Sequence, residues 1–176
     1  VSVPPPGFDA RFSAIWRRYV YRLTDRPADP LTRTMVAPVR TAVDVAVINE
    51  AATALLGLHD FAAFCRARVG ATTIRQLQLL VADRVPAGHV EVTVRADAFC
   101  HSMVRSLVGA LVEVGTGRRD EGWLAGLLAQ PARAGDVPVL AARGLVLEEV
   151  GYPDDAGLAA RAREARALRT LPGADR

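Results

Sequence analysis

One charged side chain, Arg105, lies inside the apolar run of an otherwise hydrophobic segment from Ala98 to Gly117. Val104, Leu107, Val108, Leu111, Val112 and Gly115 recur at helical spacing, which predicts a helix packed against a core along most of its length. A guanidinium stays charged at any working pH and is costly to bury alone, so a carboxylate, a phosphate or a cluster of carbonyls is expected to meet it. His101 and Gly109 fall one turn before and after Arg105, giving a narrow stripe of polar and small residues that something bulky can approach. The plain alternative is an arginine at the helix edge that reaches water or closes a structural ion pair.

A second concentration of chemistry lies near the start. Between Arg11 and Arg33 there are six arginines against two acids, Asp25 and Asp29, with Phe12, Trp16, Tyr19 and Tyr21 interleaved. Nucleic-acid surfaces use this mixture, guanidinium groups for phosphates and flat rings for bases. Cys65 and Cys100 are too few and too far apart for a disulfide framework or a metal cluster, and read as buried or inert thiols. His101 has no second ligand at suitable spacing, so no metal is expected there, and it either touches a nucleic acid or caps the helix that follows.

At 176 residues, 51% hydrophobic and 23% charged, the chain has the size and composition of one globular domain with a substantial core. No apolar run approaches the roughly 18 to 20 residues of a membrane span. Val1 to Gly7 has neither the basic start nor the apolar stretch of a secretory signal, so a cytoplasmic location is expected. All 22 basic residues are arginine, which fits GC-rich coding, and the net charge of +3 suits an anionic partner without requiring one.

The elements that must position these residues follow from periodicity. Residues 13 to 23 predict a strand with Ser13, Ile15, Arg17, Tyr19 and Tyr21 on one face and Ala14, Trp16, Arg18, Val20 and Arg22 on the other. Asp44 is the expected N-cap of a helix running to Leu56, with Gly57 as its stop, and His59-Asp60-Phe61 reads as a turn. Thr73 to Val85 and His89 to Ala98 predict a hairpin closed by Pro86-Ala87-Gly88. After the Arg105 helix come a short helix over Glu121 to Leu128, a strand over Gly144 to Tyr152, and an alanine- and arginine-rich helix over Asp155 to Leu171 with little apolar surface. The expected fold class is α+β, an antiparallel sheet with helices packed on one face, in which residues 1–153 form the domain and residues 154–176 a helical or disordered tail.

Read in order, Phe12-Ser13-Ala14, Arg17-Arg18-Tyr19-Val20-Tyr21, His59-Asp60-Phe61, Ala96-Asp97-Ala98-Phe99, His101-Ser102-Met103-Val104-Arg105 and the stretch from Gly144-Leu145 to Tyr152-Pro153 resemble the tRNA pseudouridine synthase A (TruA) family, the tRNA pseudouridine(38-40) synthases, in the style of actinobacterial members. The resemblance covers residues 8 to 153. It implies isomerisation of uridine to pseudouridine in the tRNA anticodon stem-loop, without cofactor or metal, by a homodimer. It also implies the pseudouridine synthase catalytic domain, of which this chain looks like the C-terminal half. The family's nucleophilic aspartate belongs to an Arg-Thr-Asp-Ala-Gly motif absent from this sequence, and neither Asp60 nor Asp97 matches it. By the same resemblance Arg105 is the active-site arginine that pairs with that aspartate, and Tyr19 the tyrosine that stacks on the target base. Arg11, Arg17, Arg18, Arg66, Arg68, Arg75 and His101 are candidate RNA contacts. Asp60 and Phe61 are expected to set a turn and fill the core, and Ser102 stands where many relatives carry histidine or asparagine. With its nucleophile missing, the chain alone is expected to be inactive; the competing reading is a stand-alone RNA-binding module derived from such an enzyme.

Overall fold

In a computed structural model, residues 3–167, 170 and 171 are described. Strand β1 (Trp16–Thr24) is the spine of a six-stranded sheet, its backbone hydrogen-bonded to neighbours along both edges. On one side it pairs antiparallel with β5 (Val90–Ala96), beyond which lie β4 (Ile74–Arg84) and β3 (Gly57–Asp60). Its other side is shared by β6 (Leu145–Gly151), antiparallel along most of its length, and by the short β2 (Ala37–Pro38), parallel at its end. Helices α1 (Val45–Ala52), α2 (Met103–Gly115) and α3 (Glu121–Gly126) bury their apolar sides in a common core with one face of this sheet.

The register explains which face is covered. Tyr19 stands opposite Val94, Tyr21 opposite Val92 and Leu23 opposite Val90, and this row faces Ile48, Met103, Leu107 and Leu111 of the helices. The alternate row is the open face, where Arg18 reaches Glu149 at 2.9 Å and Arg22 reaches Glu91 at 2.7 Å around a buried Val20. The expected α+β architecture with helices on one sheet face is therefore observed.

Several details differ from the periodicity, each for a local reason. Asp44 caps α1 as expected, its carboxylate accepting from the amides of Ala46 and Val47, but the α-helix ends at Ala52 and tightens into a 3₁₀ turn over Thr53–Leu55. His59 and Asp60 are not a turn: they end β3, paired with Arg75 and Ile74. The turn begins at Phe61, which is fully buried, while Asp60 accepts from the Ala62 amide and the Thr73 hydroxyl. Cys65 and Cys100, expected as inert thiols, are joined as a disulfide with their Cα atoms 5.8 Å apart. The neighbouring backbone makes this possible, since the Arg66 amide donates to the His101 carbonyl and brings two distant loops side by side.

The last helix also does more than its composition implies. Helix α4 (Leu158–Glu164) buries Leu158 and Ala162 against the amino-terminal segment, and the Ser13 hydroxyl donates to the Leu158 carbonyl at 3.0 Å. Small residues suffice here because Gly7, with φ of +83°, has no Cβ to strike Ala159. The expected helical stretch at residues 168 and 169 lies outside the described residues, as do the ends of the expected domain and tail at 1, 2 and 172–176.

Candidate RNA-facing site around Arg105 and Tyr19

Helix α2 is buried along nearly its whole length, and Arg105 is one of its few half-buried positions. Its guanidinium donates to the Leu140 carbonyl at 3.1 Å and to the Ser102 hydroxyl at 3.3 Å. The Leu140 amide in turn donates to the Arg105 carbonyl, so one segment receives both ends of the residue. Among the described residues Arg105 forms no ion pair. One carbonyl and one hydroxyl solvate a guanidinium only partly, and the charge is left for something else to meet.

The small-residue stripe on α2 is used by the chain itself. A Cβ at Gly109 would lie 2.1 Å from the Pro138 carbonyl oxygen, so only glycine lets the segment from Pro138 to Ala141 cross the helix this closely. Tyr21 holds the same segment from the sheet side, its hydroxyl donating to the Ala141 carbonyl at 2.7 Å. Burial pushes the Tyr21 hydroxyl up to about 12, with Arg105 and Arg143 pulling the other way, so this phenol stays a neutral donor.

Ser102 stood out in the sequence only as a departure from what the family resemblance implies. It sits at the N-cap of α2 with φ of +69°, the one left-handed non-glycine residue among those described. Its hydroxyl contacts His101 Nδ1 at 3.0 Å as well as Arg105, so a strained backbone aims the group that orients the guanidinium. The histidine or asparagine that the resemblance implies there was its one signal, since asparagine tolerates this conformation. His101 itself is exposed and does not cap the helix.

Tyr19 lies half-buried on β1 with Phe99 packed against it at right angles, ring centres 5.1 Å apart. The pair borders a cleft of about 480 Å³ that also gathers Arg11, Arg17 and Arg75 from the candidate contacts. Arg17 is anchored to the carbonyls of Asp97 and Arg11, and Arg75 to those of Thr72 and Ile74. Arg161 and Arg166 of the carboxy-terminal segment complete the cationic side and were not singled out from sequence. Their signal was the spacing of Leu158, Ala162 and Ala165, which turns one side of that helix inward. Asp97 is spent on structure, accepting from the amides of Gln76 and Ala98.

The remaining candidates lie elsewhere. Arg66 and Arg68 belong to a fully exposed loop beside the cleft, and Arg18 lies on the open sheet face in its pair with Glu149. A separate hollow of about 510 Å³ at the start of α1 contains Arg84, which is already paired with Asp25. Among the described residues no group of three or more histidine, cysteine or acidic side chains could hold a metal ion, and no helix is long and apolar enough to cross a membrane.

Comparison with known proteins adds a consistent result. A family described as tRNA pseudouridine synthase matches residues 51–153. The chain is 61% identical to tRNA pseudouridine synthase A of Cutibacterium acnes over 170 residues, 94% of this chain and 61% of that protein. It is 57% identical to the enzyme of the same name from Streptomyces griseus, over 97% of this chain and 61% of that protein, and 54% identical to that of Leifsonia xyli, over 95% and 59%. The chain thus spans about three fifths of the length of the curated relatives it matches.

Proposed function

The chain belongs to the tRNA pseudouridine synthase family, and from that premise we propose that it is the carboxy-terminal half of an enzyme that isomerises uridine to pseudouridine in the tRNA anticodon stem-loop, at positions 38–40. The glycosidic bond is broken and the base is reattached through carbon, a rearrangement that needs no cofactor. Arg105 carries this reading: a half-buried charge on a buried helix, met by one carbonyl and one hydroxyl. A nucleophilic aspartate from an amino-terminal half is the partner that fits, because an adjacent guanidinium keeps a carboxylate ionised and fixes its position. Tyr19 stacks on the extruded base, a role suited to a ring already steadied by Phe99. Arg11, Arg17 and Arg75 take backbone phosphates at the cleft, with Arg66, Arg68 and His101 extending the contact and Arg18, already paired, adding least.

The test compares this chain alone with the chain joined to an amino-terminal half that bears the Arg-Thr-Asp-Ala-Gly motif. The joined protein should convert uridine in an anticodon stem-loop, and this chain alone should bind tRNA without converting it. In the joined protein Arg105→Ala should abolish turnover while tRNA affinity stays within about twofold, since its partner is a protein carboxylate and not a phosphate. Near-normal turnover in that variant removes Arg105 from the site, and conversion by this chain alone overturns the division into two halves. Binding without conversion by the joined protein favours an RNA-binding module.

A further inference from the structure

We propose that helix α4 forms a wall of the RNA cleft and that Arg161 takes a backbone phosphate there, an inference that rests on the RNA reading above. The family-model match ends at residue 153, short of α4. The helix is nevertheless firmly seated. Leu158 and Ala162 are buried, the Leu158 carbonyl accepts from Ser13, and Arg166 joins Asp9 at 2.8 Å while lying 4.6 Å above the Phe12 ring. Arg166 is a clamp, its charge answered by a carboxylate.

Arg161 differs from it. Its Nε donates to the Ala14 carbonyl at 3.3 Å, which steers the half-buried side chain along the cleft wall. The nearest acid, Glu164, is 3.9 Å away and 71% exposed, a pairing that screens little charge. Arg17 and Arg75 border the same cleft from β1 and β4. Arg17 and Arg161, carried by separate elements and each hydrogen-bonded to carbonyls, bring guanidinium groups to the cleft beside the Tyr19 and Phe99 rings, where a phosphate can be bound. A polyanion with flat bases, a single-stranded RNA loop, is the ligand whose chemistry matches both parts.

Helix α4 supplies its own control in Arg163, which is exposed and does not line the cleft. The experiment measures tRNA affinity of the complete protein across a salt series for wild type, Arg161→Gln, Arg161→Lys and Arg163→Gln. Arg161→Gln should weaken binding about threefold to tenfold and flatten the plot of log affinity against log salt by about one phosphate contact, whereas Arg163→Gln should shift affinity by less than about twofold. Arg161→Lys keeps the charge but loses the planar fork, so it should keep most of the salt slope; a slope as flat as that of the glutamine variant would make Arg161 an anchor of α4 only. Equal effects of Arg161→Gln and Arg163→Gln would overturn the inference while leaving the RNA reading intact. A wild-type affinity indifferent to salt would overturn both.

Discussion

Tyr19 and Arg105 divide the proposed site between a ring that holds a base and a charge that holds a carboxylate, and they fail differently when altered. Among the described residues the Tyr19 hydroxyl has no hydrogen-bond partner, so Tyr19→Phe leaves the packing on Phe99 in place. Tyr19→Ala removes the ring, opens the cleft and weakens the strand. If stacking is the role of Tyr19, the phenylalanine variant of the complete enzyme should keep turnover within about tenfold of wild type, and the alanine variant should lose a hundredfold or more. Equal losses, with unfolding midpoints matching wild type, would make the hydroxyl a chemical participant. Arg105 stood out in the sequence as a charge in an apolar helix, whereas Tyr19, one of several rings in its strand, was singled out only by the family resemblance. The left-handed backbone at Ser102 leaves no trace in periodicity; only the histidine or asparagine that the family resemblance implies there pointed to it.

Elements were easiest to read where both faces of a strand or helix obeyed one period. Strands β4 and β5 and helix α2 lie within the stretches their periodicity predicts and β1 overruns its own by one residue, while other boundaries moved wherever a capping or edge contact intervened. The end of β3 at His59 and Asp60 was missed because a four-residue edge strand offers too few alternations to separate it from a turn. The Cys65–Cys100 pairing depends on a backbone bridge between loops, which spacing cannot report. The joint between β1 and α1 is testable at this scale. Asp25, just after β1, accepts from the Val43 amide at 2.9 Å and binds Arg84 of β4 through both oxygens, and the guanidinium holds its carboxyl down at about 2. A carboxyl depressed in the folded state stabilises fully above its ordinary value of 3.8, and loses that contribution as pH falls through 2. Asp25→Asn should therefore cost about 1 to 2 kcal/mol near neutral pH, a figure reduced for the partly exposed Arg84, and almost nothing below pH 2. Urea unfolding of both proteins at the two pH values checks this, and a gap that does not change with pH would contradict it.

For the molecule as a whole, one sheet face is sealed by helices while the other carries paired charges around Trp16 and Val20, and the cationic cleft opens where β1, β4 and α4 meet. Charge is therefore unevenly used: Arg18 and Arg22 of the open face are matched by Glu91, Glu148 and Glu149, whereas Arg17 and Arg161 at the cleft donate to carbonyls. Carbonyls orient a guanidinium without cancelling its charge, so Arg17 and Arg161 stay available to an anion at the cleft. We propose that the complete enzyme is a homodimer that grips tRNA across both subunits, as the family resemblance implies, with the cleft as the strongest phosphate contact of each. Each cleft engaged by the tRNA contributes four contacts, from Arg11, Arg17, Arg75 and Arg161, and so a slope of about −3 to −4 in log affinity against log salt, or roughly a hundredfold loss per cleft between about 50 and 200 mM. Sedimentation at micromolar concentration should give the mass of two chains. Titrations of tRNA into the same preparation should follow that slope, and a monomer or a flat salt series would remove, respectively, the shared grip or the phosphate contacts.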